Sequence, residues 1–597
     1  MKFQIFNLAI SAMMLAACGG GGGGGVSSTP RPPPTPAPPS PSEPSINDST
    51  VSRSYASLAQ TIDASLGASD AVVADASSGS EAITVAYDAA QNSYTITTAA
   101  GSRTFGQSDL AESQTRLGST FEVRDGDQIE TLTIMNQPNR VPEGVPANSV
   151  GKGYYTSNDV SAPIGAGEYG AFVYGFRTKE AELPVSGLAQ YEVDIIGYIA
   201  AVGEEMISFT GAGSFNVDFA QAAYNFIGNI STRNITSGTG NFFGGSIVSG
   251  GSLSSDGKFS GPVAFGSSYG VRGALNGAFY GPNVQEIGAT FRAQSPDIEL
   301  IGAMTGIRLE TLRATDNFGD FTLTDFHVDQ FWGGPLVQTW WSSLEDGPDG
   351  DFFRVFVPGS GAYIEVIDRK IARIATGYVY DLQQSDLVAD GRENFTTYEF
   401  ERDGFPARAS LFRIGDANPQ IQLTYTSFFQ WDRGTSEPLP DGSFIYRTYR
   451  EYGLFGSQTS GDLILARRGT AQYSGVLYAA GGDAAGNRYD ITGESFFDMD
   501  FSSNQYSGWL EMRGTDQDMR ATEFGRFTFA YDPEPFSVGF LSATITNPGG
   551  YENTGYITPY FYGPTGQELA ATFETGFGNP ESLDYIVIGG ITLAKEN

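Results

Sequence analysis

Residues 279–291 read Phe-Tyr-Gly-Pro-Asn-Val-Gln-Glu-Ile-Gly-Ala-Thr-Phe, and residues 561–573 read Phe-Tyr-Gly-Pro-Thr-Gly-Gln-Glu-Leu-Ala-Ala-Thr-Phe. The two stretches lie 282 residues apart (561 minus 279) and are identical at nine of 13 positions. In each, a Gly-Pro pair separates two strand-like runs, because both residues favour turns. The chain therefore contains this strand–turn–strand unit twice.

Other blocks show that the repeat is longer than this unit. At offsets of 282 or 283 residues, 187–191 recurs as 469–473, 217–219 as 499–501, and 168–170 as 451–453. Several blocks in one order at nearly one offset indicate a duplicated body. We expect the repeated residues to hold the fold. Asp218 and Asp500, for example, are placed to accept backbone N–H groups in turns.

The composition favours an all-β protein. Of 597 residues, 77 are Gly and 13% are aromatic, and short alternating runs such as residues 92–97 and 527–531 are typical of half-buried strands. Helical patterns are limited to residues 55–63 and 108–113. The Gly-rich second part of each unit, 186–308 and 468–597, predicts a small closed barrel.

Charge and residue counts exclude several classes of function. The 34 basic and 68 acidic residues give a net charge of −34, which excludes nucleic-acid binding by phosphate neutralisation and argues against docking on anionic lipid. Cys18 is the one cysteine and His327 the one histidine. Disulfides within the chain, multi-cysteine zinc sites and sites with two histidines are therefore excluded, and no cofactor is expected.

The N-terminus predicts an exported, lipid-anchored protein. Residues 1–17 have a basic start and a short apolar run, as in a secretory signal. They end in Leu15-Ala16-Ala17-Cys18, which resembles the lipobox of bacterial lipoproteins, where the cysteine takes the lipid. Residue 19 is Gly, and the absence of Asp there favours the outer membrane. Residues 18–50, with seven Gly and a Pro-rich run, predict an extended tether.

The body resembles a known family of surface lipoproteins. Residues 172–178 (Phe-Val-Tyr-Gly-Phe-Arg-Thr), then 183–187 (Leu-Pro-Val-Ser-Gly) and Tyr191, resemble the handle-to-barrel junction of bacterial transferrin-binding protein B and its relatives. Residues 214–219 resemble a strand pair of the same barrel. The resemblance implies an all-β fold with two lobes, each a β-sheet handle beside an eight-stranded antiparallel barrel. The expected boundaries are 51–185 for the first handle, 186–308 for the first barrel, 309–467 for the second handle and 468–597 for the second barrel.

The same resemblance implies a function. Members of the family sit on the outer membrane and capture a protein, often an iron carrier, for a TonB-dependent receptor. The expectation is therefore a membrane-anchored binding protein, not an enzyme, with a protein ligand and such a receptor as partners, possible iron acquisition, and no nucleic acid. Two alternatives remain open, a structural or adhesive surface lipoprotein and a glycan-binding protein.

Tryptophans mark the candidate partner contacts. All five lie in the second unit, and Trp332, Trp340, Trp341 and Trp431 cluster in its first part. Core packing of the second handle is the favoured explanation, whereas exposure would make them anchors for a partner, because Trp is enriched at binding hot spots.

Three motifs could indicate chemistry. Residues 266–270 fit Gly-x-Ser-x-Gly, but their Gly-rich surroundings predict a hairpin, not the strand–turn–helix of a serine hydrolase. Residues 346–351 are acidic but lack the spacing of a calcium loop. His327, near Asp329, is expected to be a structural residue, and a carboxylate pair for glycoside hydrolysis stays open.

Overall fold

The protein is described by a computed structural model. It describes residues 44–597, except 68–71, 81–82, 100, 116–117, 137–148, 160–163, 240–244, 266–269, 311–321, 325–329, 345–351, 357–360, 368–369, 377–378, 390, 403, 439, 441, 443, 484–485, 532–541, 553 and 581–584.

The first handle is one antiparallel sheet. Its strands are β1 (Arg53–Gly67), β2 (Val73–Gly79), β3 (Thr84–Asp88), β4 (Ser93–Thr98), β5 (Gly101–Phe105), β6 (Leu110–Thr115), β7 (Gly118–Asp125), β8 (Gln128–Met135), β9 (Val150–Asp159) and β10 (Ile164–Gly175). They pair in the order β5-β4-β3-β1-β10-β9-β8-β7-β6, and β2 also pairs with β1.

The first barrel follows directly. Its strands are β11 (Leu188–Ala201), β12 (Ile207–Asp218), β13 (Ala223–Asn234), β14 (Gly245–Leu253), β15 (Lys258–Phe265), β16 (Val271–Tyr280), β17 (Glu286–Ser295) and β18 (Ile298–Arg308). Each strand pairs with the next, and β18 pairs with β11 to close the barrel. Alternate side chains point inward, so Tyr191, Phe215 and Phe291 fill a buried apolar core.

The second handle has two sheets and one short helix. Its elements are β19 (Gln330–Gly334), β20 (Leu336–Leu344), β21 (Phe352–Phe356), β22 (Ala362–Ile367), β23 (Lys370–Ala375), β24 (Val379–Asp381), β25 (Leu387–Val388), β26 (Phe395–Arg402), β27 (Phe405–Phe412), β28 (Thr426–Pro438), β29 (Phe444–Gly456) and α1 (Gly461–Ala466). One sheet has the order β19-β22-β23-β24 and the other β21-β20-β29-β28-β27-β26-β25.

The second barrel repeats the first. Its strands are β30 (Thr470–Gly482), β31 (Arg488–Asp500), β32 (Gln505–Asp516), β33 (Ala521–Tyr531), β34 (Ala543–Thr546), β35 (Gly555–Tyr562), β36 (Glu568–Phe577) and β37 (Ile586–Glu596). The strands again close in sequence order. The predicted all-β fold, with two lobes that each join a sheet handle to an eight-stranded barrel, is confirmed.

Both helical predictions were wrong. Residues 55–63 belong to strand β1, which pairs with β10, β2 and β3, and 108–113 form the end of a 3₁₀ turn followed by β6. The hydrogen bonds to three neighbouring strands outweigh the helix propensity of Ala, Leu and Gln in this segment. Among the residues described, no helix is long and apolar enough to cross a membrane.

One glutamate in each lobe, at equivalent positions of the repeat, joins the barrel to its handle. Glu286 and Glu568 open β17 and β36 and are 2% and 1% exposed. Glu286 accepts the backbone N–H groups of Ser149 and Val150 at 2.9 and 3.1 Å. A carboxylate at the barrel rim thus binds the backbone at the edge of the handle.

Glu568 makes the corresponding contact in the second lobe with one more bond. It accepts the N–H groups of Thr424, Tyr425 and Thr426 at 2.6, 2.8 and 2.9 Å. Burial raises the pKa of Glu568 to about 7, and the three backbone N–H groups oppose this rise. These glutamates therefore fix how handle and barrel meet in both lobes.

Other repeated residues also act in the fold. Asp218 accepts two backbone N–H groups in the turn after β12, and Asp500 does so after β31, as predicted. Tyr191 and Tyr473 lie inside the barrels and donate their hydroxyls to backbone carbonyl oxygens at 2.7 and 2.6 Å.

Helix α1 of the second handle packs against the first lobe. Its Leu463 and Ala466 pack on Val248 and Ala264, on the outer surface of the first barrel, beside the partly buried Ile227. These apolar contacts place the second lobe against the first.

Candidate functional site

Several predicted residues lie outside the described part of the chain. These are Cys18, His327, most of the Gly-x-Ser-x-Gly motif at 266–270 and the acidic run at 346–351. Within the described residues, no group of three or more His, Cys, Asp or Glu side chains is placed to hold a metal ion.

Two of the four candidate tryptophans are core residues. Trp431 on β28 is fully buried among Phe429, Phe455 and Ile364, between the two sheets of the second handle. Trp341 on β20 is 6% exposed and packs toward the second barrel. Both therefore agree with the core-packing interpretation of the sequence, and not with partner contact.

The other two tryptophans lie on different sheets. Trp332 is on β19, opposite Ile364 in the strand pairing. Trp340 is on β20, opposite Tyr449 of β29, and is half-buried. Because side chains alternate along a strand, Trp340 and its neighbour Trp341 point to opposite faces of their sheet.

Trp340 belongs to a row of stacked cationic and aromatic groups. The Arg447 guanidinium lies 5.5 Å from the Trp340 ring. The Trp340 and Tyr449 rings stack with centroids 6.3 Å apart at an angle of 28°, and the Arg433 guanidinium lies 4.1 Å from the Tyr449 ring. Cation–π attraction and stacking hold the indole in one orientation.

A buried ion pair fixes the inner end of this row. Arg433 and Glu451 are 7% and 1% exposed and approach to 2.9 Å. Glu451 also accepts a hydrogen bond from the Thr376 hydroxyl at 2.8 Å and one from the Gln338 amide. A buried carboxylate satisfied by several donors orients the guanidinium rigidly, so the half-exposed Trp340 is preorganised.

Strands β28 and β29 form a hairpin, and the face of this hairpin opposite to Tyr449 carries two exposed aromatic residues. We call residues 432–438 of β28 and 444–450 of β29 the distal hairpin. Phe444 and Tyr446 on its outer end are each 38% exposed, and their ring centroids are 6.4 Å apart. Aromatic side chains on both faces make the distal hairpin the candidate site for binding a partner.

The sequence indicated only part of this site. It singled out Trp340 but not Arg433, Arg447, Phe444 or Tyr446. The available signal was the run from residue 444 to 452, Phe-Ile-Tyr-Arg-Thr-Tyr-Arg-Glu-Tyr, in which aromatic and Arg residues outnumber aliphatic ones. The strand register that places Tyr449 opposite Trp340 is not visible in the sequence.

A second aromatic patch lies on the outer face of the second barrel. Phe496 and Trp509 are opposite one another and stack with centroids 6.0 Å apart at 18°. The Arg526 guanidinium lies 4.1 Å from the Trp509 ring, and the exposed Glu494 and Glu511 are the next pair along the same face. This arrangement is an aromatic row flanked by carboxylates.

Comparisons with known proteins give structural matches only. No family profile and no curated protein sequence matches the chain. Matched solved structures include the following. A transferrin-binding protein B mutant from Haemophilus parasuis is 15% identical, with TM-score 0.25, and covers 76% of this chain and 84% of that one. Transferrin-binding protein B from Neisseria meningitidis is 14% identical, with TM-score 0.21, and covers 78% and 89%. The lactoferrin-binding protein B N-lobe from Moraxella bovis is 13% identical, with TM-score 0.19, and covers 42% and 99%.

Because these identities and TM-scores are low, the description of the fold rests on the strand pairing of this chain. The two closed barrels, and the handle sheets fixed to them by Glu286 and Glu568, are observed directly. The solved structures that the chain matches include the transferrin-binding protein B family that its sequence resembles.

Proposed function

We propose that this protein is a lipid-anchored outer-membrane surface protein that captures a protein ligand, and that the distal hairpin of the second handle contacts that ligand. The observation that carries the proposal is the preorganised row of Arg433, Tyr449, Trp340 and Arg447, with Phe444 and Tyr446 exposed on the other face. Rigid aromatic and Arg side chains are the residue types that dominate binding energy at protein interfaces.

The arrangement suits capture more than catalysis. The indole and guanidinium groups are held by stacking and by the buried Arg433–Glu451 pair, so little side-chain entropy is lost when a partner binds. The net charge of −34 would speed association with a basic partner.

The lipobox cysteine and the tether supply the rest of the proposal. Lipid on Cys18 would hold the body at the membrane, and residues 18–50 would let it reach a ligand. Transfer of that ligand, or of the nutrient it carries, to a TonB-dependent receptor is the uptake role that the family resemblance suggests. Iron is the nutrient to test first.

The test is a comparative pull-down. Residues 44–597 are used as bait against extracellular and outer-membrane proteins from iron-starved and iron-replete cultures. The bait is compared with a Phe444→Ser/Tyr446→Ser variant, a Trp340→Ala variant, and a Tyr556→Ala control. Tyr556 is 53% exposed on the second barrel, so the control removes an exposed aromatic residue away from the distal hairpin.

We expect to recover a protein whose yield falls at least fivefold with the Phe444→Ser/Tyr446→Ser variant and with the Trp340→Ala variant. Its yield should be unaffected by Tyr556→Ala. Recovery of a TonB-dependent receptor, or of an iron-carrying protein from starved cultures, would support the uptake role. If no recovered protein depends on the distal hairpin, the capture proposal at this surface is wrong.

A second candidate function is glycan binding on the second barrel. The stacked Phe496 and Trp509, flanked by Glu494 and Glu511, offer an apolar platform beside hydrogen-bonding groups. Affinity electrophoresis in gels containing cell-surface polysaccharide would test it. Retardation that disappears in Trp509→Ala but persists in Trp340→Ala would favour this function, and equal mobility with and without polysaccharide would exclude it for the polysaccharide used.

A further inference from the structure

A large cavity lies where the second handle meets both barrels. It has a volume of about 950 Å³, within the range of small-molecule sites. Its walls come from β23, β26, β27 and the turn after β27, with Gln221 of the first barrel and Lys595 of the second barrel at its edges. The cavity is separate from the distal hairpin.

The charge of the cavity is opposite to that of the chain. In the whole sequence, acidic residues outnumber basic ones by 68 to 34. Among the charged residues that line the cavity, Lys370, Arg413 and Lys595 are basic and Asp416 alone is acidic. A local positive charge inside an acidic protein attracts anions and focuses them on this cavity.

Arg413 gives the most direct indication of a ligand. Its Nε is buried and has no hydrogen-bond partner among the described residues. An unpaired buried donor destabilises the folded state, and native proteins rarely leave one without a reason. An oxyanion in the cavity would supply the missing acceptor, and guanidinium groups bind carboxylate, sulfonate and phosphate oxygens well.

The neighbouring cations are also available. Among the described residues, Lys370 and Arg413 make no ion pair within 4.0 Å, and Lys595 donates to the backbone carbonyl of Gln422 at 3.3 Å. Three positive groups thus line one cavity.

Apolar side chains also line the cavity. Leu411 is 8% exposed and belongs to the core cluster that includes Trp431. The partly buried Ile371, Tyr398 and Ile414 pack against that same cluster. A ligand that fills this cavity should therefore combine an anionic group with an apolar or aromatic body.

We propose that this cavity binds a small organic anion, with its oxyanion on Arg413 and Lys370 and its apolar part on Ile371 and Leu411. This site is independent of protein capture by the distal hairpin. Gln221 belongs to the first lobe and the other lining residues to the second, so the cavity lies at the junction of the two lobes.

The test uses two probes that differ by one sulfonate group. 1-Anilinonaphthalene-8-sulfonate is titrated into the protein and its fluorescence recorded, and N-phenyl-1-naphthylamine, the same ring system without the sulfonate, is titrated in parallel. We expect one anionic probe to bind per chain. Arg413→Met should weaken the sulfonate at least tenfold and change the uncharged probe less than twofold.

Matched variants keep the test decisive. Arg124→Met, at a 65% exposed arginine of the first handle, is the control and should change neither probe. Lys370→Met should weaken the sulfonate about threefold, and this result decides if Arg413→Met fails to fold by near-UV circular dichroism. Absence of sulfonate binding to the native protein, or equal loss of both probes in the variants, would overturn the proposal.

Discussion

Glu568 gives the sharpest test of how each barrel is fixed to its handle. Its carboxylate accepts three consecutive backbone N–H groups, from Thr424 to Thr426, and is 1% exposed. The change Glu568→Ala removes the acceptor for all three donors without altering the backbone. Tyr425 and Thr426 are buried, and Thr424 is partly buried.

The expected cost follows from those three bonds. A buried donor left without a partner costs about 1–3 kcal/mol, and water entering the space left by the side chain would recover part of it. We therefore expect Glu568→Ala to lower the free energy of unfolding of the second lobe by about 3–5 kcal/mol, a large share of a typical domain stability.

Tryptophan fluorescence separates the two lobes in the assay. All five Trp residues follow residue 330, so the fluorescence transition in urea reports the second lobe, while far-UV circular dichroism reports both. Glu574→Ala is the matched control. Glu574 is on the same strand, but its carboxylate accepts no hydrogen bond from a backbone N–H group among the described residues. Equal transition midpoints for the two variants would refute the role assigned to Glu568.

The remaining predictions concern pH, burial, backbone geometry and the anchor. Since burial raises the pKa of Glu568 from 4.5 to about 7, the folded state holds this proton more tightly than the unfolded state. Stability should therefore fall as pH rises from 5 to 8, by about 3 kcal/mol relative to Glu568→Gln, as measured by urea titrations at both pH values; a rise would contradict this. Lys152 and Asp194 are 2% and 4% exposed and 3.5 Å apart between the first handle and barrel, so Lys152→Met should cost about 3–5 kcal/mol by leaving a buried charge unpaired, and Lys152→Met/Asp194→Asn should recover part of it in circular dichroism melts. Gly456 has φ of +146°, and a Cβ there would lie 2.2 Å from the Tyr425 carbonyl oxygen, so Gly456→Ala should destabilise the second lobe by about 2–4 kcal/mol in the fluorescence assay. Cys18→Ser should move the protein from the membrane fraction to the soluble fraction and abolish palmitate labelling.

The duplication made the fold predictable. Blocks such as 279–291 and 561–573 repeat because both copies perform the same structural task, so their turns and strands could be recognised without coordinates, whereas the burial of their glutamates could not. The repeated Asp218 and Asp500 were also assigned correctly, since an Asp that follows a strand can bond the next backbone N–H groups.

The candidate site was less predictable because it depends on strand register. Trp340 meets Tyr449 only because β20 pairs with β29 at that position, and more than 100 residues separate them in the chain. The helix predicted for residues 55–63 was wrong for the same reason, because pairing with three distant strands decided the conformation of this segment. Non-local contacts of this kind leave no local pattern in a sequence.

The differences between the copies show where function is to be sought. Ile227 of the first barrel packs beside α1, whereas its counterpart 282 residues later is Trp509, which stacks on Phe496 and Arg526 at the surface. Helix α1 packs on the first barrel at this position, whereas its Ile464 meets the second barrel elsewhere, in the core cluster that contains Phe561. Trp509, like Trp340 beside the distal hairpin, is therefore a residue to test for binding.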